Sequence, residues 1–243
     1  MAESAYLPGV AIKNSEVLDS PRHSALVRVT HWIHAVSFIA LVLSGIAILL
    51  AHPRLYWGET GAVGTPSLID LPLPFVLDIP IRGPGRYLHF LAAWVCVLTG
   101  VLYVLSGLFS GHFWKNMVPR KTDLGWKPIL RVVSNHMHLR RPAEEESQSY
   151  NVLQRLTYLA VVFLLFPLII VTGLAMSPAI TSVFPVIVNT FGGQQSARTI
   201  HFFVTVALVL FLIVHVAMVC FAGFKNRMRA MITGRGAAGK EPS

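Results

Sequence analysis

Long apolar runs separated by polar, Pro- and Gly-containing segments dominate the pattern of the chain. About 20 consecutive apolar residues suffice for a helix to cross the hydrocarbon core of a bilayer. Four runs reach that length, and none of them contains Asp, Glu, Lys or Arg. They cover 31–51, 88–109, 156–177 and 200–224. The pattern therefore predicts an all-α membrane protein whose four transmembrane helices form a bundle.

The composition supports a membrane protein. Hydrophobic residues make up 54% of the 243 residues and charged residues only 13%, against about 25% charged in soluble domains. The first thirty residues contain many polar residues and no long apolar run, and the first apolar run is long enough to remain as an anchor, so we expect no cleaved signal peptide.

The distribution of the +9 net charge predicts the orientation. Two of the loops hold only four arginines, so the N-terminal segment, the loop 112–155 and the C-terminal tail hold sixteen of the 20 Lys and Arg. Those four are Arg54, Arg82, Arg86 and Arg198. Since basic residues concentrate on the cytoplasmic side, both termini should be cytoplasmic, in a bacterial inner membrane. The charge then indicates anionic lipid rather than nucleic acid as its partner.

The same reading divides the chain into three parts. We expect a cytoplasmic N-terminal segment at 1–27, a membrane domain at 28–229 and a cytoplasmic tail at 230–243. The apolar stretch 68–81 is broken by three prolines and is too short to span, so it suits an interfacial segment or a docking surface.

Smaller features predict local structure. Pro167 should kink the third span, and the apolar stretch 183–188 should form a short helix at the outer interface. Cys96 and Cys220 stand alone, without a C-x-x-C pair, so neither an iron–sulfur cluster nor covalently attached haem is expected.

Four histidines inside or at the ends of the spans are the main chemical signal, because imidazoles are rare in hydrocarbon without a function. His31 opens the outward-going first span and should lie near the inner face. His89 and His201 open inward-going spans and should lie near the outer face. His215 follows His201 by fourteen residues, which is about 21 Å along a helix and within about 40° of the same direction. The depths therefore pair His89 with His201 and His31 with His215.

Two histidine pairs at two depths favour two haems. Zinc and copper sites need three or four ligands converging on one point, whereas two axial imidazoles match a six-coordinate iron porphyrin. Arg28, Arg86 and Arg198 each precede one of these histidines by three residues. Their guanidinium groups are suited to bind the haem propionates.

Several neighbouring residues leave alternatives open. His34, one turn after His31, could be the ligand instead, while His52, His112, His136 and His138 read as ordinary loop residues. Gly45 lies fourteen residues after His31 and could leave room for the edge of the outer haem. Each histidine could also simply satisfy a polar neighbour within the bundle.

The chain resembles the bacterial dihaem cytochrome b membrane subunits of nickel–iron hydrogenases, formate dehydrogenases and thiosulfate reductases. The resemblance rests on His31-Trp32 after Arg28, on Arg86-x-x-His89 and on the His201 and His215 spacing. It implies that His31 and His215 ligate an inner haem b, that His89 and His201 ligate an outer one, and that quinone is the membrane substrate.

The resemblance also implies a quinone site near the inner haem. In the formate dehydrogenase branch an Asn at the start of the third span marks this site, and the matching run here contains Tyr150, Asn151 and Gln154. Asn151 could equally cap the third helix.

The expected function is electron transfer through two bis-histidine haems between a periplasmic catalytic redox subunit, of molybdenum or hydrogenase type, and quinone. The chain would then be a respiratory electron-transfer subunit, and whether it is itself an enzyme stays open. One alternative is a stand-alone quinone-linked cytochrome that takes electrons from superoxide or a soluble carrier. An alternative of another class is a histidine-lined metal or proton transporter without haem.

Overall fold

The structure is a computed structural model that describes residues 24–61, 64–71, 82–111, 113–114, 118, 152–221 and 223–234. Within these residues, four helices are long and apolar enough to cross a membrane. They are Ala25–Ala51, Gly85–Phe109, Gln154–Ala175 and Gln194–Phe221. The predicted four-span helical architecture is therefore confirmed. Residues 1–23 of the proposed N-terminal segment, most of the inner loop and the end of the tail lie outside the described residues.

In chain order the elements are α1, β1 and β2, followed by the helices α2 to α8. Their bounds are α1 Ala25–Ala51, β1 Arg54–Leu55, β2 Ile69–Asp70, α2 Arg82–Phe109, α3 Val152–Ala160, α4 Phe166–Ala175, α5 Pro178–Thr181, α6 Pro185–Thr190, α7 Gln194–Phe221 and α8 Phe224–Thr233. A π-helical turn, Val161–Leu165, joins α3 to α4, so these three segments form the third span.

The first helix begins before the apolar run does, because Ser24 caps it. The Ser24 side chain accepts a hydrogen bond from the Val27 amide at 3.3 Å, which satisfies one of the unpaired amides of the first helical turn. The first turn also carries Arg28, which the hydropathy pattern alone left outside the span.

The third span changes its winding beside Pro167. Proline has no amide hydrogen to donate to the preceding turn, and the π turn immediately before it shifts the Phe166 amide to the Val161 carbonyl. The irregularity predicted from Pro167 is thus present as a π turn, a feature often found at functional sites.

The outer loop is anchored on the first turn of α7. The carbonyl of Gly58 accepts hydrogen bonds from the Gln195 and Ser196 amides at 3.0 and 3.2 Å, and the Gly58 amide donates to Ser196 Oγ at 2.7 Å. Thr199 Oγ1 donates to the Tyr56 carbonyl at 2.6 Å. The loop therefore satisfies amides that the helix start leaves unpaired.

Two short strands hold the same loop together. β1 and β2 pair antiparallel, with Arg54 opposite Asp70, and these two side chains form an exposed ion pair at 3.2 Å. Leu55 is almost fully buried beneath them. The short helix expected at 183–188 is present as α6, Pro185–Thr190.

The helix α8 folds back against the start of α1 on the side of the bundle opposite the outer loop. Gly223, with a φ of 95°, separates α8 from α7. Trp32 Nε1 donates to the Met231 carbonyl at 3.2 Å, and Arg28 Nη1 donates to the Ile232 carbonyl at 2.9 Å. This helix extends beyond residue 229, where we ended the membrane domain.

The spans pack as two helical hairpins. The most extensive contacts join α1 to α2 and α7 to α4. A small buried cluster of Val161, Val204 and Leu208, with Phe38 packed against it, links the hairpins. Many side chains facing away from the bundle, such as Leu98 and Leu43, are exposed, as expected for residues that contact lipid.

Candidate cofactor site

The structure brings His89 and His201 together from the two different hairpins. Their ring centroids are 6.4 Å apart and the ring planes are inclined by 60°. His89 lies in the second turn of α2 and His201 in the second turn of α7, so both belong to the ends nearest the anchored outer loop.

A hydroxyl group contacts each of these two rings from the neighbouring helix of its own hairpin. Ser44 Oγ lies 3.0 Å from His89 Nδ1, and Thr172 Oγ1 lies 3.0 Å from His201 Nδ1. Ser44 and Thr172 are 3% and 0% exposed, so both contacts are shielded from solvent. Contacts through Nδ1 leave the opposite nitrogen, Nε2, to face other groups.

His31 and His215 form the second pair. Their centroids are also 6.4 Å apart, with the planes inclined by 50°. Aromatic rings surround this pair: Trp32 meets His31 edge-on at 5.3 Å, while Phe211 stacks on His215 at 5.8 Å. Tyr158 of the third span contacts His215 edge-on at 6.4 Å.

The His34 ring lies in a different environment. Its Nδ1 donates to the Thr30 carbonyl of its own helix at 2.9 Å, and its ring meets Phe166 edge-on at 6.0 Å. Gly100 of α2 faces its Nε2. The structure thus places His31, rather than His34, opposite His215.

The three arginines occupy different surroundings. Arg198 donates to the His52 carbonyl at the end of α1, and Arg86 is exposed near the start of α2. Arg28 uses Nη1 to hold α8, while its buried Nε has no hydrogen-bond partner among the described residues. Arg28 therefore keeps one buried donor available for an anion.

The residues suggested for quinone lie at or before the start of the third span. Tyr150 and Asn151 are outside the described residues. Gln154 is half-buried and precedes Tyr158 by one helical turn, which places this end of the span on the side of the His31 and His215 pair.

The spacing within each pair fits an iron held between two imidazoles. A metal lies about 2 Å from an imidazole nitrogen, itself about 1.1 Å from the ring centre, so two axial imidazoles have centroids roughly 6 Å apart. Both observed separations, 6.4 Å, agree with that value. The histidines therefore fit haem iron at both levels.

Four membrane spans that present two facing imidazole pairs define the class of membrane cytochromes b. The chain belongs to the prokaryotic cytochrome b561 family, whose model matches residues 22–234. Membership implies haem b binding and electron transfer within a multi-pass protein of the inner membrane.

Curated relatives carry two kinds of subunit name. YedZ1 of Azospira oryzae, which carries the name of a protein-methionine-sulfoxide reductase subunit, is 30% identical over 212 residues, 87% of this chain and 96% of the relative. The formate dehydrogenase cytochrome b556(fdo) subunit of Escherichia coli K12 is 25% identical over 216 residues, 88% of this chain and 83% of the relative. No solved structure matches the chain.

Sequence reasoning did not identify Ser44 and Thr172. Each hydroxyl residue stands directly before a glycine, in Ser44-Gly45 and Thr172-Gly173. The sequence signal was a hydroxyl residue followed by glycine, in a span that has no histidine at its outer end. This signal is weak, because Ser and Thr are common in membrane helices.

Proposed function

We propose that the chain conducts electrons across the membrane between a catalytic redox subunit on the periplasmic side and membrane quinone, using two haems b. The observation that carries this proposal is the pair of 6.4 Å imidazole separations at two levels of one bundle. Haem b, when bound, supplies reversible one-electron chemistry at its iron. In this proposal His89 and His201 hold the outer haem, and His31 and His215 hold the inner one.

The single helix α7 sets the distance between the two levels. It supplies His201 to one pair and His215 to the other, about 21 Å apart along its axis. Because a continuous helix is stiff, the two levels keep a fixed separation. Apolar residues of α1 and α7, among them Ile39, Val42 and Val209, line a cleft of about 110 Å³ between these two helices.

The arginines are proposed to neutralise haem propionates. Arg198 and Arg86 lie at the outer ends of α7 and α2, and Arg28 lies beside the inner pair. The buried Nε of Arg28, which has no partner within the part of the chain that the structure describes, supports this role because a buried guanidinium donor is costly to leave unbonded.

Quinone is proposed to bind beside the inner pair, at the start of the third span. Tyr158 contacts His215, and Gln154 lies one turn earlier on the same helix. Gln154, with Tyr150 and Asn151 just before it in the chain, can offer hydrogen bonds to a quinone carbonyl.

The outer surface suits a partner protein. Several exposed apolar side chains belong to the two outer loops. They are Trp57, Leu68, Val183, Phe184 and Val186. Exposed apolar patches mark interaction sites. The names of the relatives, which refer to formate dehydrogenase and to methionine sulfoxide reduction, support a catalytic redox subunit as that partner.

A reduced-minus-oxidised optical spectrum of the purified protein, with haem and subunit stoichiometry, tests this proposal. We expect b-type haem at two per chain, two reduction steps, and a co-purifying redox subunit. One haem per chain would contradict the two-site arrangement, and a spectrum without haem bands would favour a transporter. Two haems without a partner would favour the stand-alone quinone-linked cytochrome.

A further inference from the structure

The two hairpins contain the same local arrangement around the outer histidines. In one hairpin, Ser44 and Gly45 of α1 face His89 of α2. In the other, Thr172 and Gly173 of α4 face His201 of α7. Both hydroxyl oxygens lie 3.0 Å from the ring Nδ1.

Each of the two hydroxyl groups already donates its proton to a carbonyl of its own helix. This determines which atom is the donor in the contacts with the rings. Ser44 Oγ donates to the Ala40 carbonyl at 2.6 Å, and Thr172 Oγ1 donates to the Leu168 carbonyl at 2.8 Å. A hydroxyl has one proton and two acceptor lone pairs. Each oxygen therefore accepts a hydrogen bond from Nδ1–H of the histidine, and each ring also has a backbone hydrogen bond, His89 with Leu41 and His201 with Ile169.

The glycines provide the space for this contact. A Cβ on Gly45 would lie 3.7 Å from His89 Cε1 and 3.9 Å from its Nδ1, and a Cβ on Gly173 would lie 3.6 and 3.9 Å from the same atoms of His201. These are ordinary contact distances, so a methyl group would just fit and a larger side chain would displace the ring. Gly45 thus accommodates the His89 ring, and the haem edge expected beside it stays a prediction.

We propose that Ser44-Gly45 and Thr172-Gly173 are paired positioning sites for the outer ligands. The hydroxyls, together with the Leu41 and Ile169 backbone, hold His89 and His201 in the Nδ1–H tautomer, which would leave an unprotonated Nε2 on each ring to ligate a bound haem iron. The inference deepens the proposed function and depends on its assignment of the outer haem. The helix of each hairpin that carries no outer histidine, α1 or α4, thus controls the outer site through a hydroxyl group.

These hydrogen bonds also have a predicted electronic effect. An imidazole whose N–H is hydrogen-bonded is a more basic ligand, and a more basic ligand favours the ferric iron over the ferrous iron. The hydroxyls therefore lower the potential of the outer haem, and their removal raises it.

The matched substitutions Thr172→Val and Thr172→Ser test the proposal. Valine keeps the volume of threonine without the hydroxyl, whereas serine keeps the hydroxyl. We expect Thr172→Val and Ser44→Ala to raise one of the two midpoint potentials in a redox titration and to change the low-spin ferric EPR signal of the same haem. Thr172→Ser should leave both readouts at their original values. Ser37→Ala is the control, because Ser37 is a buried hydroxyl of α1 that donates only to the Ile33 carbonyl at 2.7 Å in the described contacts.

Each possible outcome decides the question. Loss of one haem in Thr172→Val, with retention in Thr172→Ser, would also support the proposal, since the hydroxyl would then be needed for ligation itself. Equal effects of Val and Ser, an unchanged potential in both hydroxyl-free variants, or an equal shift in Ser37→Ala would overturn it. If the unmodified protein shows two haems and the variants do not differ from it, only this inference fails. If the unmodified protein lacks haem, the proposed function fails first.

Discussion

His215 is the residue on which the inner level depends, because α7 provides its ring directly opposite His31. Replacing His215 with Ala should remove the inner haem and leave the outer one, since His89 and His201 lie about 21 Å away along the helix. Because a bis-histidine haem needs both of its ligands, pyridine haemochrome analysis should then give about one haem per chain.

His34→Ala is the matched control for that substitution. His34 lies one turn from His31 but packs on Phe166 and Gly100, so its loss should leave two haems. Loss of the inner haem in this variant, with retention in His31→Ala, would identify His34 as the ligand.

Arg198 places a positive charge beside the outer level. Arg198→Gln should lower the outer haem potential by tens of millivolts, because a charge roughly 8–16 Å away is worth about 1–2 kcal/mol at an effective dielectric constant of about 20. Glutamine retains an N–H donor for the His52 carbonyl, so the change mainly removes charge. Redox titration measures the effect, with Arg54→Gln in the exposed ion pair as the control. An outer potential that stays constant would argue against a nearby propionate.

Among the elements, the junction of the outer loop with α7 depends on a glycine. Gly193 has a φ of 119°, and a Cβ there would collide with the backbone of Gly58. Gly193→Ala should therefore lower the free energy of unfolding in detergent. The loss should exceed the roughly 1–3 kcal/mol that a strained backbone alone costs.

Gly64→Ala separates the cost of backbone strain from the cost of a steric collision. Gly64 has a φ of 91°, but a Cβ there would meet no described atom within 4 Å. The difference in melting temperature between the two variants measures the contribution of the packing between loop and helix. Equal melting temperatures would mean that the loop is only loosely attached to α7.

The attachment of α8 to α1 is the corresponding junction at the other end. Trp32→Phe removes the N–H donor to Met231 while keeping an aromatic ring beside His31, at a cost of about 1 kcal/mol. Hydrogen–deuterium exchange in Phe224–Thr233 should become faster by a few-fold. Trp57→Phe in the outer loop, where the side chain is mostly exposed, should leave this exchange unchanged; a similar increase there would contradict the specific role of Trp32.

The elements show how far sequence reasoning extends. Apolar length predicted the four spans, and the depth argument named the two histidine pairs that the structure brings together, because helical rise and direction follow directly from residue number. The caps and junctions were not predicted. The bonds of Gly58 to Ser196 and of Trp32 to Met231 join residues distant in the chain, and no local pattern encodes such partners.

For the whole molecule, the charge distribution predicts that the termini are cytoplasmic. Ser67→Cys in the outer loop and Ser243→Cys in the tail, each in a background with Cys96 and Cys220 replaced by Ser, test this orientation. A membrane-impermeant maleimide added to intact cells should label the first variant and not the second. The reverse labelling pattern would invert the topology and would place the His89 and His201 pair on the cytoplasmic side.

The arrangement of the spans as two hairpins has a consequence for how the protein is made. Each hairpin makes its most extensive helix contacts internally. Within the membrane the hairpins meet through the facing imidazoles and a small apolar cluster, and at the two ends the outer loop and α8 join them. Insertion into the bilayer and assembly of the bundle are separable stages for membrane helices. Since a ligand that binds only the assembled state stabilises it, the supply of haem during biogenesis should determine how much of the newly synthesised chain matures and how much is degraded.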